Sequence, residues 1–254
     1  MQKLVVIDYL PENVSRYRPD WAIVAVDVIR ATTTAITAAA NGWRCFPVPT
    51  VEAALGLAKQ FENPLLAGES GGKMPAAFEM DNSPAEVVSR SDIYRPLVLV
   101  SSTGTKVIHE AVGCEATYLS CFRSYSVLAD YLAKHHQRIA IIGAGSLGEF
   151  REEDQACCAW IAAGLMTHGY LAKNPETKAL VRRWYGEPPE ACLGSRSVTF
   201  LKHTDRLKDL DFIFDHIDDL RSVFAVQDGE VRLVHEAEPV GCPAGVQAGR
   251  GIMR

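Results

Sequence analysis

The chain has no surplus of positive charge: 26 lysines and arginines stand against 31 aspartates and glutamates, a formal net charge of −5. A general nucleic-acid or anionic-membrane surface needs basic stripes, so both are excluded as expected partners. Any anionic ligand must be met by local cations. Long apolar runs are also missing, and none approaches the roughly 20 residues of a membrane span. The opening MQKLVVIDYLP turns polar too soon for a secretory signal, and the expected location is the cytoplasm. Cysteine is scarce. The seven (Cys45, Cys114, Cys121, Cys157, Cys158, Cys192, Cys242) are odd in number, scattered, and without a C-x-x-C pair, which argues against a disulfide framework or a zinc site. They read as small buried hydrophobes.

What is present is a length of 254 residues, 48% of them hydrophobic, enough for a sizeable core. LVVIDYL (Leu4–Leu10) and AIVAVDVI (Ala22–Ile29) are β-branched apolar runs, and TAITAAANG reads as a helix stopped by Gly42. Strand-like and helix-like segments then alternate as far as EEDQACCAWIAAGLMTHG. Continuous apolar strands separated by helices predict a three-layer α/β fold with a mostly parallel sheet. The expected organisation is one domain over 1–234, with a possible subdomain break near 170–195, and an irregular tail over 235–254.

Three strand ends share a feature: AVDVI runs into RATTT, VLVSS into TGTK, and AIIGAG into SLGEF. In an open parallel sheet such turns meet at the carboxyl edge and can build one pocket. A helix N-terminus there favours an anion, Thr32 and Thr33 offer hydroxyls, and Arg30 offers a planar fork for phosphate or sulfonate. Equally, one threonine can cap the helix while Arg30 pairs with an acid. The turn Ser101, Ser102, Thr103, Gly104, Thr105, Lys106 resembles half a phosphate cradle without the P-loop spacing. Gly143, Gly145 and Gly148 have the G-x-G-x-x-G spacing of dinucleotide sites, but no acid follows at the end of a second strand.

Acids complete the set. Asp27 interrupts an apolar run, and a buried carboxylate needs a cation, a metal or hydrogen-bond donors. Glu69 ends another strand, Asp81 lies in the MDNSP loop, and Glu152, Glu153 and Asp154 open a long helix. Carboxylates converging with hydroxyls and arginine suit Mg²⁺, a hard cation that takes a few carboxylates plus water. The alternatives are an Asp27–Arg30 ion pair and favourable acidic charge at a helix start.

In this order, VDVIRATTT with a following NG, GES with a downstream DNSP, STGT, and EDQACCAWIAAGL resemble the 2-phosphosulfolactate phosphatase family, the ComB-like proteins. The resemblance covers roughly Leu4 to Leu165 and again Leu220–Val234, whose SVFAVQDGEV resembles the family's closing strand. It implies Mg²⁺-dependent hydrolysis of (2R)-O-phospho-3-sulfolactate to 3-sulfolactate and phosphate, a step of coenzyme M biosynthesis. Carried over by position, it marks Asp27, Arg30, Thr32, Thr33, Gly68, Glu69, Asn82, Ser83, Pro84, Thr103, Gly104, Thr105, Glu153 and Asp154. The family's G-E-R is here Gly68-Glu69-Ser70, and an expected asparagine near Phe122 is replaced in the neighbourhood of Arg123 and Ser124.

The reading assigns Asp27, Arg30, Glu69 and Asp154 to catalysis, with Asp27, Glu69 and Asp154 holding Mg²⁺. Thr32, Thr33, Asn82, Ser83, Ser102, Thr103, Gly104, Thr105, Lys106 and Arg123 are assigned to the substrate. Asp27 is read as a metal ligand; the D-x-D of aspartyl-phosphate phosphatases is absent, since Ile29 takes the second position. Two other readings stand beside this one: a non-catalytic binder of a phosphorylated or sulfonated metabolite, and an NAD(P)-binding oxidoreductase. A homodimer is expected from size and class.

Overall fold

Apolar runs with no polar interruption form strands here because both of their faces are covered. The computed structural model describes residues 2–237. In β2 (Ala22–Val26), Ala22, Val24 and Val26 join one core and Ile23 and Ala25 the other. The same alternation runs through β1 (Leu4–Tyr9) and β7 (Arg138–Gly143), as the two-residue side-chain period of a strand requires. Fully burying such a Val or Ile contributes about 1.5–3 kcal/mol, so these strands anchor the sheet.

The remaining strands are β3 (Cys45–Val48), β4 (Leu65–Gly68), β5 (Leu97–Val100), β6 (Ala116–Ser120), β8 (Leu171–Ala172), β9 (Ser222–Gln227) and β10 (Glu230–Glu236). They form one sheet in the order β4-β5-β3-β10-β9-β6-β2-β7-β1-β8. Two parallel groups, β4-β5-β3 and β6-β2-β7-β1-β8, are joined by the antiparallel β9–β10 hairpin. The fold is mixed α/β with a mostly parallel sheet flanked by helices, as the alternation predicts.

One face carries α5 (Tyr125–His135), α6 (Glu152–Thr167) and α7 (Pro175–Trp184). On the other, α1 (Ala31–Ala40) packs against both β3 and β6, and α4 (Gly104–Glu110) against both β3 and β2. These two helices therefore lie between the parallel groups. The helices α2 (Val51–Ala58), α3 (Pro84–Ser89), α8 (Arg196–His203) and α9 (Leu207–Asp215) complete the described set.

Two boundaries differ from the sequence reading. β2 stops at Val26 and not Ile29, because Asp27 donates its N–H to Thr32 Oγ1 (2.9 Å) and accepts the Thr32 N–H (3.0 Å). That closed turn replaces the ladder and leaves Asp27 just beyond the strand. The closing strand expected within Leu220–Val234 is a hairpin, turned by Asp228 (φ 52°) and Gly229 (φ 77°). Two residues with positive φ make the tight turn whose twist matches a hairpin. β10 runs through Glu236, past the expected start of the tail; 238–254 lie outside the described residues. In the 170–195 stretch, β8 pairs with β1, Thr177 Oγ1 accepts the Ile7 N–H (2.9 Å), and Trp184 and Cys192 enter the core shared with β1 and β2.

Candidate active site

The loops that follow β2, β4, β5 and β7 meet at one cleft of about 450 Å³, with α8 as a further wall. Hydrogen bonds tie the loops together. Glu69, just past β4, accepts the Ser102 N–H (2.6 Å) on Oε1, and the Ser102 hydroxyl and Gly72 N–H (2.7 Å each) on Oε2. Thr103 donates its hydroxyl to the Gly145 carbonyl (2.8 Å), and Asp154 Oδ1 accepts the Val28 N–H (2.8 Å). Glycines allow the close approach. At Gly68 (φ 128°) an added Cβ would overlap the Val100 carbonyl, and at Gly104 it would overlap Asp27 Oδ2.

The floor of the cleft is acidic. Asp27, Glu69, Glu153 and Asp154 all line it, and Asp27, Glu153 and Asp154 are buried. Burial, with Glu69 and Glu153 adding repulsion, raises the Asp27 pKa to about 7 against the opposing Ala31 N–H and Arg30. Asp154 is pushed up by burial and by Asp27 and Glu153. Burial also raises Glu153, outweighing its contacts with Ser197 and Ser195 and the nearby Arg151. Two oxygens here, Glu153 Oε2 and Asn82 Oδ1, are buried without a hydrogen-bond partner among the described residues. Carboxylates that repel one another and oxygens without donors are the chemistry a hard divalent cation satisfies. Among the described residues no three His, Cys, Asp or Glu side chains stand grouped as a ready chelate. Mg²⁺ needs fewer, because it keeps several waters and binds through one or two carboxylates plus ligand oxygens. The donor set fits.

Of the residues singled out in the sequence, the cleft brings together Asp27, Arg30, Glu69, Asn82, Ser102, Thr103, Gly145, Glu153 and Asp154, with Gly104 packed behind Asp27. The others are engaged elsewhere. Thr32 donates its hydroxyl to the Ser120 carbonyl (2.7 Å) and Thr33 to the Val28 carbonyl (2.8 Å), so both serve the turn. Ser101 and Thr105 exchange bonds, each hydroxyl accepting the other's N–H at 2.9–3.0 Å. That closes the turn expected as half a phosphate cradle. Ser83 caps α3 and donates to Asp209. Lys106 is exposed on α4, away from the cleft. Arg123 is held bidentately by Asp219 (3.0 and 2.6 Å) and donates to Thr37 Oγ1 (3.0 Å), which makes it a brace on α1.

Arg30 reaches the cleft but is not an unpaired fork. It donates to Asp209 (2.6 Å) and faces both oxygens of Asp81 (3.3 Å), while Arg206 also binds Asp81 (2.6 Å). Burial pushes Asp81 up, yet the two arginines hold its carboxyl below the ordinary range. Nor is the start of α1 open to an anion: the Asp27 carbonyl and carboxyl take N–H groups of Thr32 and Ala31, and the Arg30 carbonyl takes that of Thr34.

Sequence reasoning missed Arg151, Arg196 and Asp209. Arg151 and Arg196 line the cleft and share Glu149; the Arg151 Nη1 bond is 2.7 Å. The signal for them was weak, since both sit in polar stretches where charge is ordinary. The G-x-G-x-x-G glycines build the turn that carries Glu149: Gly145 (φ 63°) and Gly148 (φ 77°) flank a tight Ser146–Glu149 pairing. An added Cβ at Gly143 would overlap the Phe150 ring, which itself stacks on Tyr9 at 5.0 Å. The motif thus packs an aromatic and turns the chain before α6, and the α6 N-terminus does not abut the third glycine as in a dinucleotide fingerprint.

A cleft with an acid floor and arginine rim at the strand ends of an α/β sheet defines an enzyme class, with reacting groups carried on loops of a rigid scaffold. Comparison with known proteins narrows it. A family model described as 2-phosphosulpholactate phosphatase matches residues 8–229. A probable 2-phosphosulfolactate phosphatase of Carboxydothermus hydrogenoformans is 31% identical over 214 residues, 84% of this chain and 86% of the relative. One from Deinococcus radiodurans is 31% identical over 211 residues (81% and 86%), and one from Pseudothermotoga lettingae 33% over 158 residues (62% and 67%). The chain belongs to the 2-phosphosulpholactate phosphatase family, a family of phosphoric monoester hydrolases.

Proposed function

We propose that this chain is a Mg²⁺-dependent phosphatase that hydrolyses (2R)-O-phospho-3-sulfolactate to 3-sulfolactate and phosphate, in the cytoplasm, as a step of coenzyme M biosynthesis. The observation that carries the reading is the acid floor: buried carboxylates that raise one another's pKa, beside oxygens left without donors. Among the described residues no helix is long and apolar enough to cross a membrane. We also propose a homodimer, checked by light scattering in solution.

Asp27 and Asp154 would hold Mg²⁺, with Glu69 beside them, its own carboxylate oriented by Ser102 and Gly72. Bound there, the ion neutralises phosphoryl charge and makes a water more acidic. The protein's part is positioning. Phosphate-ester hydrolysis is among the slowest uncatalysed reactions, and charge stabilisation in a water-poor cleft is the effective remedy. Ser102 and Thr103 line the cleft with their hydroxyls donated to Glu69 and the Gly145 carbonyl, which fixes the loops, while Phe200 and Leu201 of α8 give it an apolar wall. Asn82 Oδ1, without a partner among the described residues, can accept a hydrogen bond from water in the cleft. In the reaction the water oxygen bonds to phosphorus, the bond from phosphorus to the C2 oxygen breaks, and that oxygen leaves with a proton. Glu153, raised above the ordinary carboxyl range by burial, can supply it; the attacking water keeps one proton as a P–OH and its other proton restores the Glu153 carboxyl.

A panel of small phosphorylated acids, assayed for inorganic phosphate with and without Mg²⁺, tests the reading. Release from phosphosulfolactate only with Mg²⁺ supports it; release from none of the panel rejects it.

A further inference from the structure

Charge around the cleft is unevenly matched. Arg30 and Arg206 face Asp81 and Asp209, two cations against two anions, so that network is neutral within itself. Arg123 is likewise matched by Asp219. At the rim, in contrast, Arg151 and Arg196 both line the cleft and, among the described residues, Glu149 is the one carboxylate in ion-pair contact with either. The Arg151 Nε is buried with no partner among the described residues, although a buried guanidinium ordinarily satisfies its donors. Arg196 is 73% exposed, so its fork can swing from Glu149 to a ligand at little cost.

These arginines stand on separate elements, just before α6 and at the start of α8, and they line the same cleft as the acids, with Arg151 near enough to Glu153 to favour its ionised form. A phosphorylated sulfolactate carries oxyanions beyond its phosphoryl group, and they must be neutralised somewhere. The floor repels them; the rim does not.

We propose that Arg151 and Arg196 form a subsite for the oxyanion that stays on the product, a sulfonate or carboxylate, with Glu149 as the internal anion that it displaces. The proposal rests on the phosphatase reading of the cleft and names how that substrate class is selected. Arginine forks recognise such groups through paired N–H bonds. Glu149 holds the forks in place while the site is empty and competes with the ligand when it arrives.

Titration calorimetry with Mg²⁺ present tests this by binding alone, independently of turnover. The probes are 3-sulfolactate, lactate, isethionate and inorganic phosphate. Arg196→Gln and Arg151→Gln should each weaken 3-sulfolactate by about 10- to 100-fold, the worth of hydrogen bonds to a charged group, and leave phosphate unchanged. Glu149→Gln should tighten 3-sulfolactate, which loss of a purely structural contact does not do. A loss confined to isethionate identifies the sulfonate as the bound group, and one confined to lactate the carboxylate. Equal affinity of wild type and Arg196→Gln for 3-sulfolactate overturns the subsite. So does an equal loss for phosphate, or a wild type that does not bind 3-sulfolactate. A wild type that binds 3-sulfolactate through Arg196 yet releases no phosphate from its phosphoester keeps the subsite and removes the phosphatase reading.

Discussion

Asp27 combines features that seldom coincide: it is buried, its neighbours are acids, and its Oδ2 lies where a side chain on residue 104 would have to go. Asp27→Asn keeps the shape and removes the charge. Turnover should fall by at least about 10²-fold while circular dichroism is unchanged, and persistent Mg²⁺-dependent turnover would reject the assignment. Gly104→Ala should displace that carboxylate, costing about 1–3 kcal/mol of stability along with most of the activity, both measurable on one preparation. The pH dependence has a definite sign. A carboxyl raised from 3.8 to about 7 binds its proton more tightly folded than unfolded, so its contribution is full below pH 3.8 and is lost as pH rises through 7. In metal-free protein, thermal midpoints of wild type relative to Asp27→Asn should decline across that window. A flat difference contradicts the burial argument. Asp27 was legible in the sequence because one acid in an apolar run has a cost that only a partner removes. Arg123 misled for the complementary reason: its partner, Asp219, lies 96 residues away, and nothing in the local sequence shows that the fork is already occupied.

At the scale of elements, the strand–turn–helix alternation was readable because each strand is apolar on both faces, and the convergence of turns follows from the parallel groups. What the turns do was less readable. Their hydroxyls and N–H groups were read as facing a ligand, but Thr32, Thr33, Ser101 and Thr105 bind backbone within their own or adjoining turns. Short polar side chains favour such local bonds, and the sequence does not reveal which way they turn. The hairpin between β9 and β10 was read as one strand although its Asp-Gly turn was in view. The polar tie of the α9 helix itself to the site runs through Asp209, which accepts from Arg30, from the Ser83 hydroxyl and from the Ala85 N–H (3.3 Å), while Leu210 and Phe214 pack beside Ile29. Asp209→Ala leaves Arg30 buried with only the longer contact to Asp81. Removing one partner of a buried pair typically costs about 3–5 kcal/mol, so urea unfolding should show a loss of that order. A loss below about 1 kcal/mol would mean that α9 is not fastened through this residue.

For the whole molecule, an acid floor and an arginine rim in one cleft divide the work. If the carboxylates that repel in the metal-free protein serve as ligands for a cation, as proposed, Mg²⁺ should stabilise the fold by mass action, by about 2.7 kcal/mol at a hundredfold excess over its dissociation constant. Thermal shift with MgCl₂ against EDTA reads this, and Asp27→Asn should blunt it. The overall architecture needed only the order of apolar segments, which composition and periodicity display. The rim needed three-dimensional knowledge, because Arg196 and Glu149 are 47 positions apart and neither looks unusual where it stands. The phosphatase reading stands on the buried carboxylates working through a divalent cation on a phosphate ester. The most direct measurement is phosphate release from (2R)-O-phospho-3-sulfolactate by the purified chain, first stripped with EDTA and then given Mg²⁺. On that reading, activity disappears on stripping and returns with the ion. Undiminished hydrolysis by the stripped protein, or none after Mg²⁺ is restored, would contradict it.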